Sequence, residues 1–456
     1  MSNQKRMMRI GLNLVQNGTH QSGWRHPDAN AGVANDFEAY VELVRAAERQ
    51  KLHFLFLADG AGVRIDAKDN EQLSYHGHID RFEPLTLVSA LSALTRHIGF
   101  VCTASTTYNE PYALARRFAS IDHISHGRVG WNVVTGWSEE EARNFGHSTL
   151  MEHDRRYERA AEFVEVVTGL WDSWDDDAFI RDKASGHYFD PDKLHVLNHK
   201  GAHYDVRGPL NISRAPQGHP VIAQAGGSGP GRDLGARIAD IIYTSQTDLA
   251  EAQDFYKDMK ARAAKAGRDP DTLLVMPGWM PILGSTDEEA HKKFDVLDAL
   301  NHPQIQMAGM TRLLGDLSNY DIDDYMPLPL PPSNAVQSTR DRLEKRLREK
   351  PMTIREVCAL MSSSFAHRAA CGSIQTVADR MQLWFESGAC DGFNLSAAYM
   401  SGPVFDFIDN LVPELRRRGV FRAEYQGSTL RENLGLPRKP NQFTAKAKGA
   451  QGVAAE

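Results

Sequence analysis

The chain has 456 residues, 41% hydrophobic and 24% charged, so it is long enough for one large α/β barrel with insertions and can bury a sizeable core. Its net charge of −7 argues against nucleic acid or an anionic membrane as the main partner, and no stretch approaches the roughly 20 apolar residues of a membrane span. The four cysteines show neither metal-ligand spacing nor a dense disulfide framework, and the N-terminus lacks a signal-peptide pattern, so we expect reduced thiols and a cytoplasmic protein.

The first part of the chain alternates apolar, β-branched runs with amphipathic segments. The apolar runs have the composition of strands that are buried on both faces. They span residues 8–15, 53–58, 98–103 and 128–135. The amphipathic segments predict helices over residues 36–50, 84–96 and 111–126. This order predicts parallel strands whose carboxyl ends carry the chemistry.

The alternation continues to the end of the chain with longer interruptions. Thr149 and Glu152 fit a capping box that begins a helix reaching about residue 174. Further strands are predicted over 220–225, 241–245, 273–276 and 392–396. About eight strands without a short repeat predict a TIM-type (β/α)8 barrel, a single domain over 1–436, rather than a doubly wound sheet. We expect insertions at about 60–82, 175–216 and 285–350, and a flexible C-terminal tail over 437–456.

A glycine-rich loop from Ala225 to Arg232 joins a predicted strand to a predicted helix. Its four glycines permit close backbone approach, Ser228 offers a hydroxyl group, and the start of the helix presents free amides. The spacing matches neither the dinucleotide-binding fingerprint nor the P-loop. The pattern therefore indicates either a phosphate cradle or a tight strand-to-helix turn.

Four other residues have positions suited to a ligand. His153 and Tyr157 share one face at the start of a helix, where they could hold a phosphate or be a surface histidine and a buried tyrosine. Asp59 and Thr106 each follow a buried strand, where they could bind a ligand at the barrel mouth or form caps and turns.

The acidic run 139–141 is predicted to cap a helix on a solvated face. The histidines form no metal-ligand motif, so we predict no metal site.

Three long segments resemble one known family. They read RVGWNVVTGWSEEEARNFG, HDRRYERAAEFVEVVTGLWDSW and RGPLNISRAPQGHPVIAQAGGSGPGR. They are similar to the nitrilotriacetate / dibenzothiophene-sulfone monooxygenase family, a branch of the bacterial-luciferase-like flavin monooxygenases. The resemblance extends from about residue 8 to residue 436, which is almost the whole chain.

The resemblance implies a two-component monooxygenase on a TIM-type barrel. A separate NAD(P)H:FMN reductase would supply reduced FMN as a diffusible co-substrate, and O2 would oxidise a small organic substrate. Carried over by motif, the residues that line the ring and ribityl chain would be Asp59, Thr106 and Asn132. Those that hold the phosphate would be His153, Tyr157 and Ser228. Relatives are often dimers or tetramers, so the resemblance also implies a homo-oligomer.

Such chemistry requires a pocket that excludes water. The excursion from Gly62 to Phe82 and the 285–350 insertion are the candidate covers. His20 and His26 lie on the loop after the first strand and face the same mouth. Either of them could direct the reacting oxygen by hydrogen bonding, as a catalytic residue, or both could be loop histidines in solvent.

The substrate is less constrained by the sequence. Sulfone-oxidising relatives carry a histidine before a glycine in the segment that corresponds to 305–320, where this chain has Leu314 before Gly315. Met307, Met310, Leu313 and Leu314 indicate an apolar or aromatic substrate, halogenated or sulfur-bearing, or else ordinary core packing. Two other functions stay open: a deazaflavin-dependent oxidoreductase of the same superfamily, and a flavin-binding protein without catalysis.

Overall fold

The computed structural model describes residues 6–15, 17–63, 73–136, 138–246, 248–302, 310, 314–333, 337–362, 368–400 and 402–445. Strands and helices alternate along them. The strands are β1 (Arg9–Leu14), β2 (Phe54–Leu57), β3 (Gly99–Ser105), β4 (Val129–Val134), β5 (His199–Lys200), β6 (Asp205–Val206), β7 (Val221–Gln224), β8 (Ile241–Thr244), β9 (Leu274–Gly284), β10 (Arg368–Ser373) and β11 (Gly392–Ser396).

Eight of these strands close into a parallel barrel. Their order around the ring is β1-β2-β3-β4-β7-β8-β9-β11, and β11 returns to β1. The predicted (β/α)8 barrel is therefore confirmed. Strand β10, which the sequence did not predict, lies outside the ring and pairs with the second half of β9, from Trp279 to Gly284. The short pair β5–β6 is antiparallel and lies in the 175–216 insertion.

Helices follow most of the barrel strands. They are α1 (Phe37–Arg49), α2 (Pro84–Ala93), α3 (Pro111–Ile124), α4 (Glu139–Asn144), α5 (His153–Trp171), α6 (Gly229–Ile238), α7 (Leu249–Lys265), α8 (Asp287–Ala299), α9 (Gln337–Glu349), α10 (Ile354–Ser362), α11 (Ile374–Glu386), α12 (Gly402–Asp406), α13 (Val412–Arg417) and α14 (Leu430–Leu434). Among the described residues, no helix combines the length and apolar character that spanning a bilayer requires.

The core has an outer and an inner part, as the side-chain alternation of barrel strands requires. Ile10, Leu12 and Leu14 of β1 belong to the large cluster between strands and helices. Residues of the other face, such as Phe54 and Val101, fill the barrel from inside. The last helix, α14, closes the amino-terminal end of the barrel, because its leucines join this inner cluster. They are Leu430 and Leu434, with Leu436 following the helix.

The chain beyond the barrel is also held in place. Arg438 pairs with Asp176 at 2.6 Å, and Asn441 donates to the carbonyls of Asp172 and Trp174. Residues 437–445, the start of the predicted tail, make these contacts, and 446–456 lie outside the described residues.

The 285–350 insertion contains helices α8 and α9 rather than continuous irregular chain. A separate apolar core forms within the insertion and α10. It contains Met310, Leu314, Leu317, Ile322, Met326, Leu330, Leu343, Leu347, Ile354, Val357 and Cys358. Met310 and Leu314 are thus explained by packing in this core. Met307 and Leu313 lie outside the described residues.

Candidate active site

A layer of polar side chains lies inside the barrel, toward the carboxyl ends of the strands. Asn132 Nδ2 donates to Thr103 Oγ1 at 2.9 Å, and Asn13 Nδ2 donates to Ser396 Oγ at 3.2 Å. The side-chain oxygens of both asparagines, and both polar atoms of Asn394, are buried without a hydrogen-bond partner. Each such buried amide group costs about 1–3 kcal/mol. The layer therefore has unused capacity to bind a polar ligand.

Asp59 lies beside this layer, two residues beyond the end of β2. Its carboxylate is 3.8 Å from the guanidinium of Arg81. Burial raises the pKa of Asp59 above its ordinary value, and the Arg81 charge opposes that shift. Asp59 is thus a partly buried hydrogen-bonding group at the barrel mouth, where the sequence places it.

The loop that carries Asp59 is held by helix α4. Glu141 Oε1 accepts from the Ala61 amide at 2.8 Å, and Asn144 Nδ2 donates to the Ala61 carbonyl at 3.0 Å. Glu141 is buried. The prediction that the acidic run 139–141 covers a solvated face is therefore wrong for Glu141, because this carboxylate binds a backbone amide from a distant loop.

Thr106 is buried directly after β3 and extends its pairing with β4. Its amide donates to the Val134 carbonyl at 2.9 Å, and its hydroxyl donates to the same carbonyl at 3.3 Å. The hydroxyl oxygen keeps lone pairs for a ligand. Asp59, Thr106 and Asn132 follow or belong to the neighbouring strands β2, β3 and β4, so the structure places them along one arc of the mouth.

His153 and Tyr157 lie together at the start of helix α5. The predicted capping box is absent, because the helix begins at His153 and the side chain of Glu152 makes no capping bond. The two rings are 4.9 Å apart, and His153 Nδ1 lies 2.9 Å from a carboxylate oxygen of Asp154. The first amides of α5 thus lack a side-chain cap and can meet an anion.

Ser228 and the glycine loop complete this group. Ser228 Oγ accepts from the Gly231 amide at 3.2 Å and so caps α6. A Cβ atom added to Gly231 would stand 3.0 Å from the Tyr157 hydroxyl oxygen, whereas one added to Gly227 or Gly229 would meet no atom within 4 Å. The structure therefore brings His153, Tyr157 and Ser228 together around an open turn of backbone.

This group lies at the outer edge of the mouth. Tyr157 and Pro230 also line one end of a groove of about 1220 Å³ between α5 and α6, on the outside of the barrel. A ligand held here would thus have one end near solvent.

His20 lies on the opposite side of the ring, after β1. Its loop is attached to the segment after β11, because the amides of Thr19 and His20 donate to the carbonyls of Ala397 and Ala398. Burial, and then the neighbouring His78, lowers the pKa of His20 to about 4, so the imidazole is neutral at pH 7. Its Nδ1 atom is buried without a hydrogen-bond partner.

His26 has a more structural environment. Its ring stacks on Tyr399 with 4.3 Å between the ring centroids, and its Nδ1 atom accepts from the Asp28 amide at 3.2 Å. Of the two predicted catalytic histidines, His20 is therefore the one with a buried ring nitrogen that has no hydrogen-bond partner.

The two candidate covers meet above the β1 side of the mouth. His78 donates to the Gly18 carbonyl at 2.7 Å, and the ring of Tyr75 stacks on His302 with a centroid distance of 3.7 Å. Residues 64–72, 303–309, 311–313 and 334–336 of these covers lie outside the described residues.

Sequence reasoning missed two buried charged residues of the site, Glu141 and Arg156. Arg156 donates to the carbonyl of Gly136, just beyond β4. Glu141 belongs to an acidic run and Arg156 to an arginine pair, and such patterns are more typical of solvated helix faces. No local signal distinguishes the buried member from its neighbours.

Comparison with known proteins agrees with this geometry. A sequence model of the family described as "Luciferase-like monooxygenase" matches residues 13–391. The chain is 46% identical to N-acetyl-S-(2-succino)cysteine monooxygenase of Bacillus subtilis (strain 168), over 97% of this chain and 100% of that protein. It is 44% identical to nitrilotriacetate monooxygenase component A of Aminobacter aminovorans, over 96% of this chain and 98% of that protein.

A solved structure extends the similarity to three dimensions. The structure of a riboflavin lyase with modified FMN and its substrate riboflavin superposes with a TM-score of 0.82 at 32% identity. The match covers 94% of this chain and 96% of that one. The resemblance on which the sequence-based assignment rested is thereby confirmed.

Proposed function

The chain belongs to the luciferase-like monooxygenase family and is a flavin-dependent monooxygenase, and from this premise we propose that it is the oxygenase component of a two-component system. It takes reduced FMN as a diffusible co-substrate from a separate NAD(P)H:FMN reductase, and it uses O2 to oxidise a small organic molecule. Support for a second component comes from the related protein that is named component A.

The residues at the mouth fit FMN. The unpartnered Oδ1 of Asn132 carries the proposal, because a buried acceptor inside the barrel suits an N–H or O–H donor of the ring or ribityl chain. Asp59 and Thr106 lie along the same arc. The open turn at Gly227 and Gly229, with His153, Tyr157 and Ser228 around it, suits the phosphate.

When bound, reduced FMN supplies the electrons that activate O2, and the protein binds, orients and keeps water away. His20 lies across the ring from the glycine loop. If the phosphate end of a ligand is anchored at that loop, its reacting end would lie on the side of His20. Because His20 is neutral, one ring nitrogen can donate a hydrogen bond to the reacting oxygen while the other accepts. His26, whose ring stacks on Tyr399, is the second candidate for this role.

For the substrate we propose a small sulfur-bearing molecule. The sequence indicated an apolar or aromatic, sulfur-bearing or halogenated compound, but the apolar part rested on residues now partly explained by core packing. One relative acts on N-acetyl-S-(2-succino)cysteine, which is a polar thioether. Thioethers with and without carboxylates are therefore the first compounds to test.

The test combines the pure protein with a flavin reductase, NADH, FMN and ¹⁸O2. The panel contains N-acetyl-S-(2-succino)cysteine, nitrilotriacetate, aromatic sulfones, alkyl thioethers and halogenated phenols. We expect one ¹⁸O atom in the product of at least one sulfur compound, and none without the oxygenase.

Two outcomes would contradict the proposal. Saturable binding of reduced FMN without labelled product from any compound would favour a flavin-binding protein without catalysis. A copurifying deazaflavin together with turnover that consumes no oxygen would favour the deazaflavin-dependent oxidoreductase. Omission of the reductase, with chemically reduced FMN supplied instead, shows whether the reductase acts only as flavin supplier.

A further inference from the structure

The loop between β1 and α1 contains several polar side-chain atoms that are buried and, within the described part of the chain, have no hydrogen-bond partner. They are Asn17 Oδ1, Thr19 Oγ1, His20 Nδ1, Ser22 Oγ and Trp24 Nε1. A buried polar group without a partner is costly, so native proteins contain few of them. Their concentration in one short loop at the barrel mouth marks a place where a polar ligand can bind.

This loop is held in place on two sides. On one side, Asn17 Nδ2 donates to the Gly77 carbonyl at 2.7 Å, and a Cβ atom added to Gly77 would stand 3.0 Å from Trp24 Nε1. On the other side, the loop lies against the segment after β11, because a Cβ atom added to Gly23 would be 2.5 Å from the Ala398 carbonyl oxygen. Contacts with two other segments therefore fix the loop that carries the unpartnered atoms.

The chemistry of these atoms indicates what kind of group they can bind. The indole N–H of Trp24 can only donate, so it requires an acceptor. The hydroxyl groups of Thr19 and Ser22 can donate as well. Ser22 is 1% exposed and precedes the 3-10 turn Gly23–Arg25, but its side chain does not cap that turn. Three donors within six residues favour a group with several acceptor lone pairs, and a carboxylate has about four.

The charges beside the loop favour an anion. Arg25 directly follows Trp24, and its guanidinium donates to the Leu300 carbonyl. None of the described carboxylates forms an ion pair with Arg25. The next acidic residue in the chain, Asp28, lies 3.9 Å from His26, and its side chain is 79% exposed. Arg25 therefore leaves a positive charge at the edge of the loop, and this charge attracts an anionic group.

We infer that Thr19, Ser22 and Trp24 bind a carboxylate of the substrate, so that the thioethers oxidised by this protein are carboxylated rather than wholly apolar. This inference rests on the proposed function, because it places the substrate beside His20, the residue proposed to direct the reacting oxygen. The three side chains bind and orient the substrate, and they take no part in the transfer of oxygen.

The competing role for these three side chains is to hold ordered water and shape the loop. In that case their loss changes the stability of the protein, or it changes the binding of charged and uncharged substrates alike. The two roles therefore differ in whether a variant distinguishes a carboxylate from its uncharged ester.

The experiment compares Trp24→Phe with Trp174→Phe. Each variant removes one indole N–H and keeps an aromatic ring, but Trp174 Nε1 already donates to the Leu210 carbonyl at 2.8 Å. The probes are N-acetyl-S-(2-succino)cysteine and its trimethyl ester, titrated by calorimetry into protein saturated with reduced FMN. Anaerobic conditions prevent turnover, so the dissociation constants measure binding alone.

The wild type should bind the acid at least about tenfold more tightly than the ester. Trp24→Phe should weaken binding of the acid about tenfold and of the ester less than about threefold, because hydrogen bonds to a charged acceptor are about twice as strong as those to a neutral one. Trp174→Phe should change neither constant by more than about twofold.

A second variant and a second measurement keep the result interpretable. Ser22→Ala should also weaken binding of the acid more than binding of the ester, and it replaces Trp24→Phe if that variant does not fold. The dissociation constant for reduced FMN should change by less than about twofold in both variants, which separates loss of the substrate contact from damage to the flavin site.

Equal losses for the acid and the ester, or no loss for either, would overturn the carboxylate site. A wild type that bound reduced FMN but bound neither probe, or preferred the ester, would overturn it too. A wild type that did not bind reduced FMN saturably would instead refute the proposed function, so the two failures are distinguishable.

Discussion

Buried polar groups at the two ends of the barrel differ in whether they have hydrogen-bond partners within the protein. At the amino-terminal end, Arg431 binds Asp240 at 2.5 Å, and Arg128 donates to several carbonyls and to Thr95. At the carboxyl-terminal end, Asn132 and Asn394 leave buried polar atoms without partners. The first arrangement stabilises the fold, whereas the second leaves binding capacity that a ligand can satisfy.

The largest effect should follow from breaking the amino-terminal pair. Arg431→Met leaves Asp240 buried with Lys439 as its remaining cation at 3.4 Å, so we expect a loss of about 3–5 kcal/mol in the free energy of unfolding. Urea denaturation measures it. Arg438→Met, which removes a half-exposed partner of Asp176, should cost less than about 1 kcal/mol. Similar losses for both variants would show that burial does not increase the contribution of the Arg431–Asp240 pair to stability.

The pH dependence of stability tests the same Arg431–Asp240 pair. Burial alone would favour the protonated acid, but the charges of Arg431 and Lys439 lower the pKa of Asp240 to about 2. Because the folded-state pKa is depressed, this stabilisation is complete above about pH 4 and is lost as the pH falls toward 2. Between pH 5 and 2.5 the wild type should lose about 2 kcal/mol more unfolding free energy than Arg431→Met/Asp240→Asn. Parallel pH curves would exclude the depressed pKa.

Asparagine side chains can be compared at both ends of the barrel. Asn132→Ala should lower the affinity for reduced FMN about tenfold. It should change the unfolding free energy by less than about 1 kcal/mol, because removal of the unpartnered Oδ1 offsets the loss of the Nδ2 bond to Thr103. Asn433 is saturated, with donors and acceptors on Gly427, Thr429 and Arg422. Asn433→Ala should therefore cost about 1–2 kcal/mol of stability and leave the affinity unchanged. Flavin titration and urea denaturation of both variants would refute the comparison if each variant changed both quantities alike.

The smallest effect concerns the outer edge of the mouth. The side chain of His153 is 48% exposed, so His153→Ala should weaken reduced-FMN binding only about three- to fivefold, by loss of one phosphate contact. Anaerobic titration measures the constant, and His147→Ala, at an exposed histidine before the same helix, is the control. An unchanged constant would remove His153 from the phosphate site.

Much of the fold could be predicted because its signals are local. Continuous apolar runs such as 98–103 and 128–135 become β3 and β4 within two residues of the predicted ends, and Pro111 begins a helix as expected. Strand β10 was missed because its sequence, RAACGS, has little of the β-branched character that marks a buried strand.

The positions of Asp59 and Thr106 at the barrel mouth could be predicted for a similar reason. Asp59 and Thr106 follow buried strands, and closure of the ring brings the carboxyl ends of all such strands to one mouth. Glu141 could not be found in this way, since its burial depends on the Ala61 amide, which belongs to another loop. The leucines of α14 likewise show an ordinary apolar pattern that does not tell which cavity they fill.

Family, barrel class and the identity of the strand-end residues could thus be read from the amino-acid order, because they depend on spacing within one element or one motif. The partners of the polar groups are a property of the closed barrel. Whether an arginine pairs with a carboxylate, as Arg431 does with Asp240, or keeps a buried Nε atom without a partner, as Arg156 does, depends on which distant segment barrel closure brings beside it. The sequence around a charged side chain does not show whether an opposite charge will lie beside it in the folded protein. Burial makes the energetic consequence of that difference large.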